Sequence, residues 1–292
     1  METTPPTARM EADRIGMYVR ESGIPGCPAL VFLHGVGNSG AMWATHMTRL
    51  GGFHCLAPDL PGFGLSNKQP WTSRIDVTDR VAELIRSRVP ERRAHVVGLS
   101  LGGSIAHTLL GRHSEVVDRM VIDGCGVLPW WGTPLIKAAV AALSPFIHTS
   151  AVVGVMGNAF GLDEDTRADM RAATPRAFRK GFADANDTRL TRAETMAVCP
   201  TLLVAGEKET KPPVRASNAA LAELMPNALA RYVPGHGHGW LGKVPELHIR
   251  MVDAWINELE LPSGLLPETT PWDNRIARQL IDSRTTDERP RR

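Results

Sequence analysis

Ala94-His95-Val96-Val97-Gly98-Leu99-Ser100-Leu101-Gly102 carries a strand into a helix with a single serine between them. The first part is short, apolar and rich in valine, as a buried strand is. Leu101-Gly102-Gly103-Ser104-Ile105-Ala106 then opens a helix. So sharp a turn holds the serine hydroxyl above the sheet, and a Cβ at either flanking glycine would strike the neighbouring strand or helix. The G-x-S-x-G pentapeptide alone is common; the strand before it and the helix after it make it specific. Ser100 is the candidate nucleophile of a nucleophile elbow.

Outward from this turn, strand-like runs alternate with amphipathic stretches. Ala29-Leu30-Val31-Phe32-Leu33, Phe53-His54-Cys55-Leu56-Ala57, Met120-Val121-Ile122, Thr201-Leu202-Leu203-Val204-Ala205 and residues 228–233 read as further strands. Helices are expected over 39–50, 75–89, 101–113, 214–225 and 245–259. Such alternation predicts an α/β fold, a mostly parallel sheet with helices on both faces. The rhythm breaks over 127–196, where only helical patterns such as 134–143 and 163–173 occur. A structureless connection of that length is uncommon, so a helical insertion is predicted above the carboxyl ends of the strands, where open α/β sheets bind ligands. The chain therefore divides into a first core part at 1–126, the insertion at 127–196, a second core part at 197–261 and an extension at 262–292. A short helical patch at 276–281 lies in that extension.

Composition narrows the function classes. The 292 residues are 43% hydrophobic and 22% charged with a formal net charge of +2, as in a globular domain with a large core. No basic block supports nucleic-acid binding. Four cysteines lie far apart without C-x-x-C spacing, so neither a metal site nor a disulfide framework is predicted. Residues 1–14 are polar and unlike a signal peptide, and the apolar region 134–162 is broken by Lys137, Pro145 and His148. These features predict a cytoplasmic protein, monomer or homodimer, that acts on a small molecule and engages no membrane.

Attack on an acyl carbonyl needs a nucleophile, a base, an acid that orients the base, and donors for the oxyanion. The base candidates share the loop Pro234-Gly235-His236-Gly237-His238-Gly239-Trp240, which follows the last strand. Three carboxylates compete for the acid. Glu209, in Gly206-Glu207-Lys208-Glu209, sits at a strand's carboxyl end on the same sheet edge as Ser100 and is preferred; Glu207 and Asp123 are its rivals. His34-Gly35-Val36-Gly37 ends the first strongly apolar strand. It would offer the backbone N–H of Val36, beside that of Leu101, as the oxyanion hole, with the His34 ring bracing the turn.

Together with Asp59-Leu60-Pro61-Gly62-Phe63-Gly64-Leu65-Ser66, these segments resemble the α/β-hydrolase superfamily, in particular its capped serine esterases and related C–C hydrolases, over about residues 28–259. The resemblance implies an eight-stranded sheet, a helical cap, and a serine mechanism without a cofactor. It favours His238 over His236, giving Ser100, Glu209 and His238 as the triad. The family's usual acid is aspartate, which this chain replaces with Glu209; glutamate serves in some members. A serine at the elbow separates the chain from the dehalogenase and epoxide-hydrolase branches, which use a carboxylate nucleophile. An apolar insertion, with Trp130, Trp131, Phe146 and Phe160, suits a hydrophobic acyl or alcohol group, and Trp130, Trp131 and Trp240 are the candidate substrate-binding residues. The reading is a hydrolase of a small to medium, mainly apolar ester, thioester or lactone. C–C bond hydrolysis, acyl transfer or elimination on the same triad, and a ligand receptor on the same scaffold, are the alternatives.

Overall fold

The computed structural model describes residues 15–160, 164–189, 191–209 and 212–268. Eight strands form one sheet: β1 (Val19–Ser22), β2 (Ala29–Leu33), β3 (His54–Pro58), β4 (Ala94–Leu99), β5 (Val117–Asp123), β6 (Thr201–Gly206), β7 (Ala228–Val233) and β8 (Leu266–Pro267), in the order β1-β3-β2-β4-β5-β6-β7-β8. The six inner strands run parallel. The two outer strands pair antiparallel and cover the edges. Every residue of β2, β3 and β6 is buried, as parallel strands covered on both faces require.

Along β2 the side chains alternate between two cores. Val31 and Leu33 join a cluster with Val81, Ile85, Ile105 and Leu109 on one face. Leu30 and Phe32 join Trp43, Met47, Ile249 and Val252 on the other. The covering helices are α1 (Ala44–Arg49), α2 (Arg74–Arg88) and α3 (Leu101–Arg112); the insertion's α4 (Thr133–Leu143), α5 (Ser150–Phe160), α6 (Glu164–Ala172), α7 (Pro175–Asn186) and α8 (Arg192–Thr195); then α9 (Pro212–Leu224), α10 (Trp240–Lys243) and α11 (Pro245–Ile256).

After β2 the chain steps to β3 on one side and returns to β4 on the other. Connections above the sheet thus diverge between β2 and β4, which opens a crevice at their carboxyl ends. Ser100 follows β4 at that crevice. The insertion lies between β5 and β6, and the regular elements among its described residues are all helices. Its α7 begins with Pro175 behind Thr174, whose hydroxyl accepts from the Ala177 N–H. Buried Phe178 and Phe182 of α7 join the core cluster, and Asp184 accepts from the Trp71 indole at 2.8 Å. The first half of α4 and its flanks face outward: Trp131, Leu135 and Phe146 are exposed. The extension contributes β8, so the sheet extends past residue 262; the patch at 276–281 lies outside the described residues. Among the described residues, no helix is long and apolar enough to cross a membrane.

Candidate active site

Ser100 has φ 54° and ψ −103°, a backbone region that costs a non-glycine residue on the order of 1–3 kcal/mol. Its surroundings hold it there. The Ser100 N–H donates to the Asp123 carbonyl at 2.8 Å, its carbonyl accepts from Ser104 at 2.9 Å, and the Gly102 N–H donates to the His34 carbonyl at 3.0 Å. The glycines are needed for contact, as expected from the sequence. A Cβ on Gly98 would lie 2.4 Å from the Gly102 carbonyl oxygen, and one on Gly102 would lie 2.1 Å from that of Leu33.

The two other triad candidates meet. His238 Nδ1 lies 2.7 Å from Oε2 of Glu209, whose side chain is wholly buried. A carboxylate only accepts, so Nδ1 carries a proton; in the neutral ring the lone pair is then on Nε2. The loops that bear them are strapped together: the Lys208 N–H donates to the His236 carbonyl at 2.7 Å and the Glu207 N–H to that of Val233 at 2.9 Å. A Cβ on Gly206 would strike the His236 carbonyl oxygen at 2.3 Å. The imidazole rests on Gly124, where an added Cβ would sit 2.8 Å from Cε1. Gly124 adjoins the carbonyl that holds Ser100, so one peptide segment positions both the elbow and the ring.

The rivals have other partners. Glu207 accepts from the Gly235 N–H at 2.8 Å, and the His236 ring bonds the Pro234 carbonyl at 2.7 Å. Asp123 is buried, and its Oδ1 accepts from the Trp240 indole at 3.1 Å. Burial first, and the nearby Glu209 charge second, push its carboxyl up to about 8.

The loop after β2 lies against the elbow: a Cβ on Gly35 would be 3.7 Å from the Ser100 Cβ. The His34 ring braces this loop. Its Nε2 accepts from the Leu60 N–H at 2.9 Å, which leaves Nδ1 to donate to the Gly35 carbonyl at 2.8 Å. Leu101 begins α3, so its N–H has no carbonyl within the helix. Val36 and Leu101 thus stand on the two segments that flank Ser100. Asp59 supports the region from below, accepting from the N–H groups of Gly40 and Leu65, each at 2.7 Å. Sequence reasoning quoted that aspartate in its motif and missed this role. The insertion closes over the loop: Cβ positions on Gly37 and Gly181 would meet Phe178 and Leu101 side chains at 3.1 Å each.

Two of the tryptophan expectations need correction. Trp240 is fully buried; its indole N–H needs a partner and finds Asp123, which draws the ring into the core and away from any pocket. Trp131 is 86% exposed, its ring tilted against that of Trp130 with centroids 5.4 Å apart. Phe160 belongs to α5, with its side chain outside the described set. Beside His238 instead opens a cleft of about 560 Å³ between α1, α6 and the His238 loop, lined among others by Asn38, Met42, His46, Asp165, Asp169 and Leu241. Neither Trp130 nor Trp131 reaches it. Sequence reasoning had no signal for Asn38 or His46, which belong to no motif. Among the described residues, no group of three His, Cys, Asp or Glu side chains gathers as a metal site would require.

Comparison with known proteins agrees with the fold. The chain belongs to the alpha/beta hydrolase family, whose model matches residues 30–247. A protein of the AB hydrolase superfamily from Gibberella zeae is 28% identical over 260 residues, 82% of this chain and 84% of the relative. Lipase 3 of a Moraxella species is 29% identical over 130 residues, 43% of this chain and 40% of the lipase. The crystal structure of a hydrolase from Pseudomonas aeruginosa superposes with a TM-score of 0.71 at 22% identity, covering 87% of this chain and 99% of that one.

Proposed function

We propose that this protein is a serine hydrolase that cleaves a carboxylic ester, thioester or lactone through an acyl-serine intermediate. One observation carries the reading: a Glu209–His238 pair at 2.7 Å whose ring rests on the residue next to the anchor of a strained Ser100. In this scheme His238 Nε2 takes the Ser100 proton as the hydroxyl attacks the acyl carbon. Glu209 stabilises the imidazolium that results, and the N–H groups of Val36 and Leu101 receive the oxyanion. The imidazolium then gives its proton to the leaving alcohol or thiol. A water, deprotonated by the same nitrogen, releases the acid and restores the serine. The helical insertion acts as a cap over the acyl site.

Hydrolysis of p-nitrophenyl butyrate tests the assignment. Wild type should release p-nitrophenol and be inactivated by a fluorophosphonate that adds covalently to Ser100. Ser100→Ala should lose both properties while keeping its far-ultraviolet circular dichroism. Turnover that survives in Ser100→Ala would reject the nucleophile.

A further inference from the structure

Helix α4 turns its apolar face outward. Between Trp131 and Phe146 the sequence holds a single charge, Lys137, and its ammonium is taken by Asp187 at the end of α7. Val140 alone of the helix is buried with the core. On the other side, Trp131, Leu135, Ala138, Ala142 and Phe146 follow one another at steps of three and four residues, all exposed, from the turn before α4 to the 3₁₀ turn after it. Ile136, Ala139 and Leu143, also exposed, widen this stripe. A surface helix of a globular protein normally does the reverse, burying its apolar face and giving water the polar one. With Leu135 73% and Phe146 57% exposed beside Trp131, the stripe presents roughly 700 Å² of apolar surface, since each aromatic alone carries about 150–250 Å². The largest apolar patch of a typical monomer is about 300–600 Å², and each partner in a standard interface buries about 800 Å². The stripe therefore exceeds the first and comes near the second.

We propose that two copies of this chain pair through α4, antiparallel about a twofold axis at Ala139. The order of the side chains selects a second copy as the occupant. Leu135 and Leu143 lie four residues to either side of Ala139, and Trp131 and Phe146 lie eight and seven. Reversing one helix on another sets Leu135 of each copy over Leu143 of the other, and Trp131 over Phe146. One patch then serves both sides, as an isologous interface requires. Ala138, Ala139 and Ala142 keep the middle slim, so the two helix axes can close there. Lys137 and Asp187 neutralise each other at the flank, and no excess of one charge sign repels the second copy. A lipid surface fits less well, because helices that lie in a membrane interface carry lysine and arginine along the polar face, and α4 has one lysine, already committed. Pairing would also brace α7, which packs on α4 and carries Phe178 to the loop after β2.

Sedimentation velocity of the full chain from about 1 to 50 μM reads the proposal. Wild type should run at twice the mass of the chain, with a dissociation constant in the micromolar range or tighter, as interfaces of this size have. Leu135→Glu should weaken pairing at least a hundredfold and leave a monomer whose far-ultraviolet circular dichroism and urea midpoint match wild type, because the side chain it alters is exposed and leaves no cavity. Leu143→Lys should be weakened likewise. Mixing these two variants should restore a dimer, since the introduced charges meet across the axis. A monomeric wild type, a dimer that Leu135→Glu leaves intact, or a mixture no more associated than its parts would each overturn the proposal. A monomeric wild type that floats with phosphatidylcholine vesicles, and loses this in Leu135→Glu, would give the stripe to lipid. A monomer whose urea midpoint falls in Leu135→Glu would give it to residues of the same chain outside the described set. Either result also overturns the second copy.

Discussion

Replacing Glu209 by glutamine removes one charge and little volume, which makes it the most direct test of how the pair works. The Glu209 carboxylate is buried 2.7 Å from His238 Nδ1, which sets the two charge centres about 4 Å apart once the imidazole is protonated. At an effective dielectric constant of about 20, their attraction is about 4 kcal/mol. That attraction exists only after proton transfer, so it lowers the barrier and leaves ground-state binding alone. Glu209→Gln should therefore lose about a thousandfold in kcat for p-nitrophenyl butyrate with a nearly constant KM. Glu207→Gln keeps an acceptor for the Gly235 N–H and should stay within about threefold of wild type. Retention of more than about a tenth of the activity in Glu209→Gln, with collapse in Asp123→Asn, would transfer the acid's role to the end of β5 and refute the reasoning.

Two further outcomes follow from the same contacts. Gly102→Ala would force a Cβ to 2.1 Å from the Leu33 carbonyl oxygen and should cost about 3 kcal/mol or more in urea unfolding; Gly154→Ala, where the Cβ meets nothing within 4 Å, should stabilise α5 by about 0.5–1 kcal/mol. Asp123 should make stability depend on pH. Its carboxyl is raised from 3.8 to about 8 in the folded protein, so the folded state holds more protons than the unfolded chain across that window. Stability then falls as pH rises through the window. Asp123→Asn cannot titrate and keeps an acceptor for Trp240, so its urea midpoint relative to wild type should climb from pH 5 to pH 8; a constant difference would contradict the assigned burial.

The inner sheet was legible because parallel strands buried on both faces read as unbroken apolar runs, as in Ala29–Leu33 and Thr201–Gly206. The edge strands were not. Val19–Ser22 carries arginine and glutamate on a strand paired on one side only, and Leu266–Pro267 is two residues long. Helix starts came through within a residue or two, but the helix expected over 39–50 opens as a 3₁₀ turn over Gly40–Trp43, with the Gly40 N–H tied to Asp59. In the insertion, α6 follows the expected pattern. Apolar α5 escaped notice because it lacks the polar stripe that marks a surface helix. Ser100, Glu209 and His238 stood out as candidates because each follows a strand, with Gly98 and Gly102 about the serine and Gly237 and Gly239 about the histidine, and the family resemblance chose between His238 and His236. Trp240 misled because its position after His238-Gly239 suggests a pocket wall, while the bond that buries it comes from a residue 117 positions away. Pairings of that range leave no local trace.

The Asp123-Gly124 segment acts as a mechanical datum for the whole candidate site: its carbonyl seats the elbow, and its bare Cα is the floor beneath the imidazole. Any side chain introduced at 124 would press on the ring and, at φ 61°, strain the backbone that seats the elbow, leaving every charge where it was. On the proposed mechanism, reactivity can thus be detuned through packing and backbone at one glycine, a handle for engineering that needs no change to a single ionisable group.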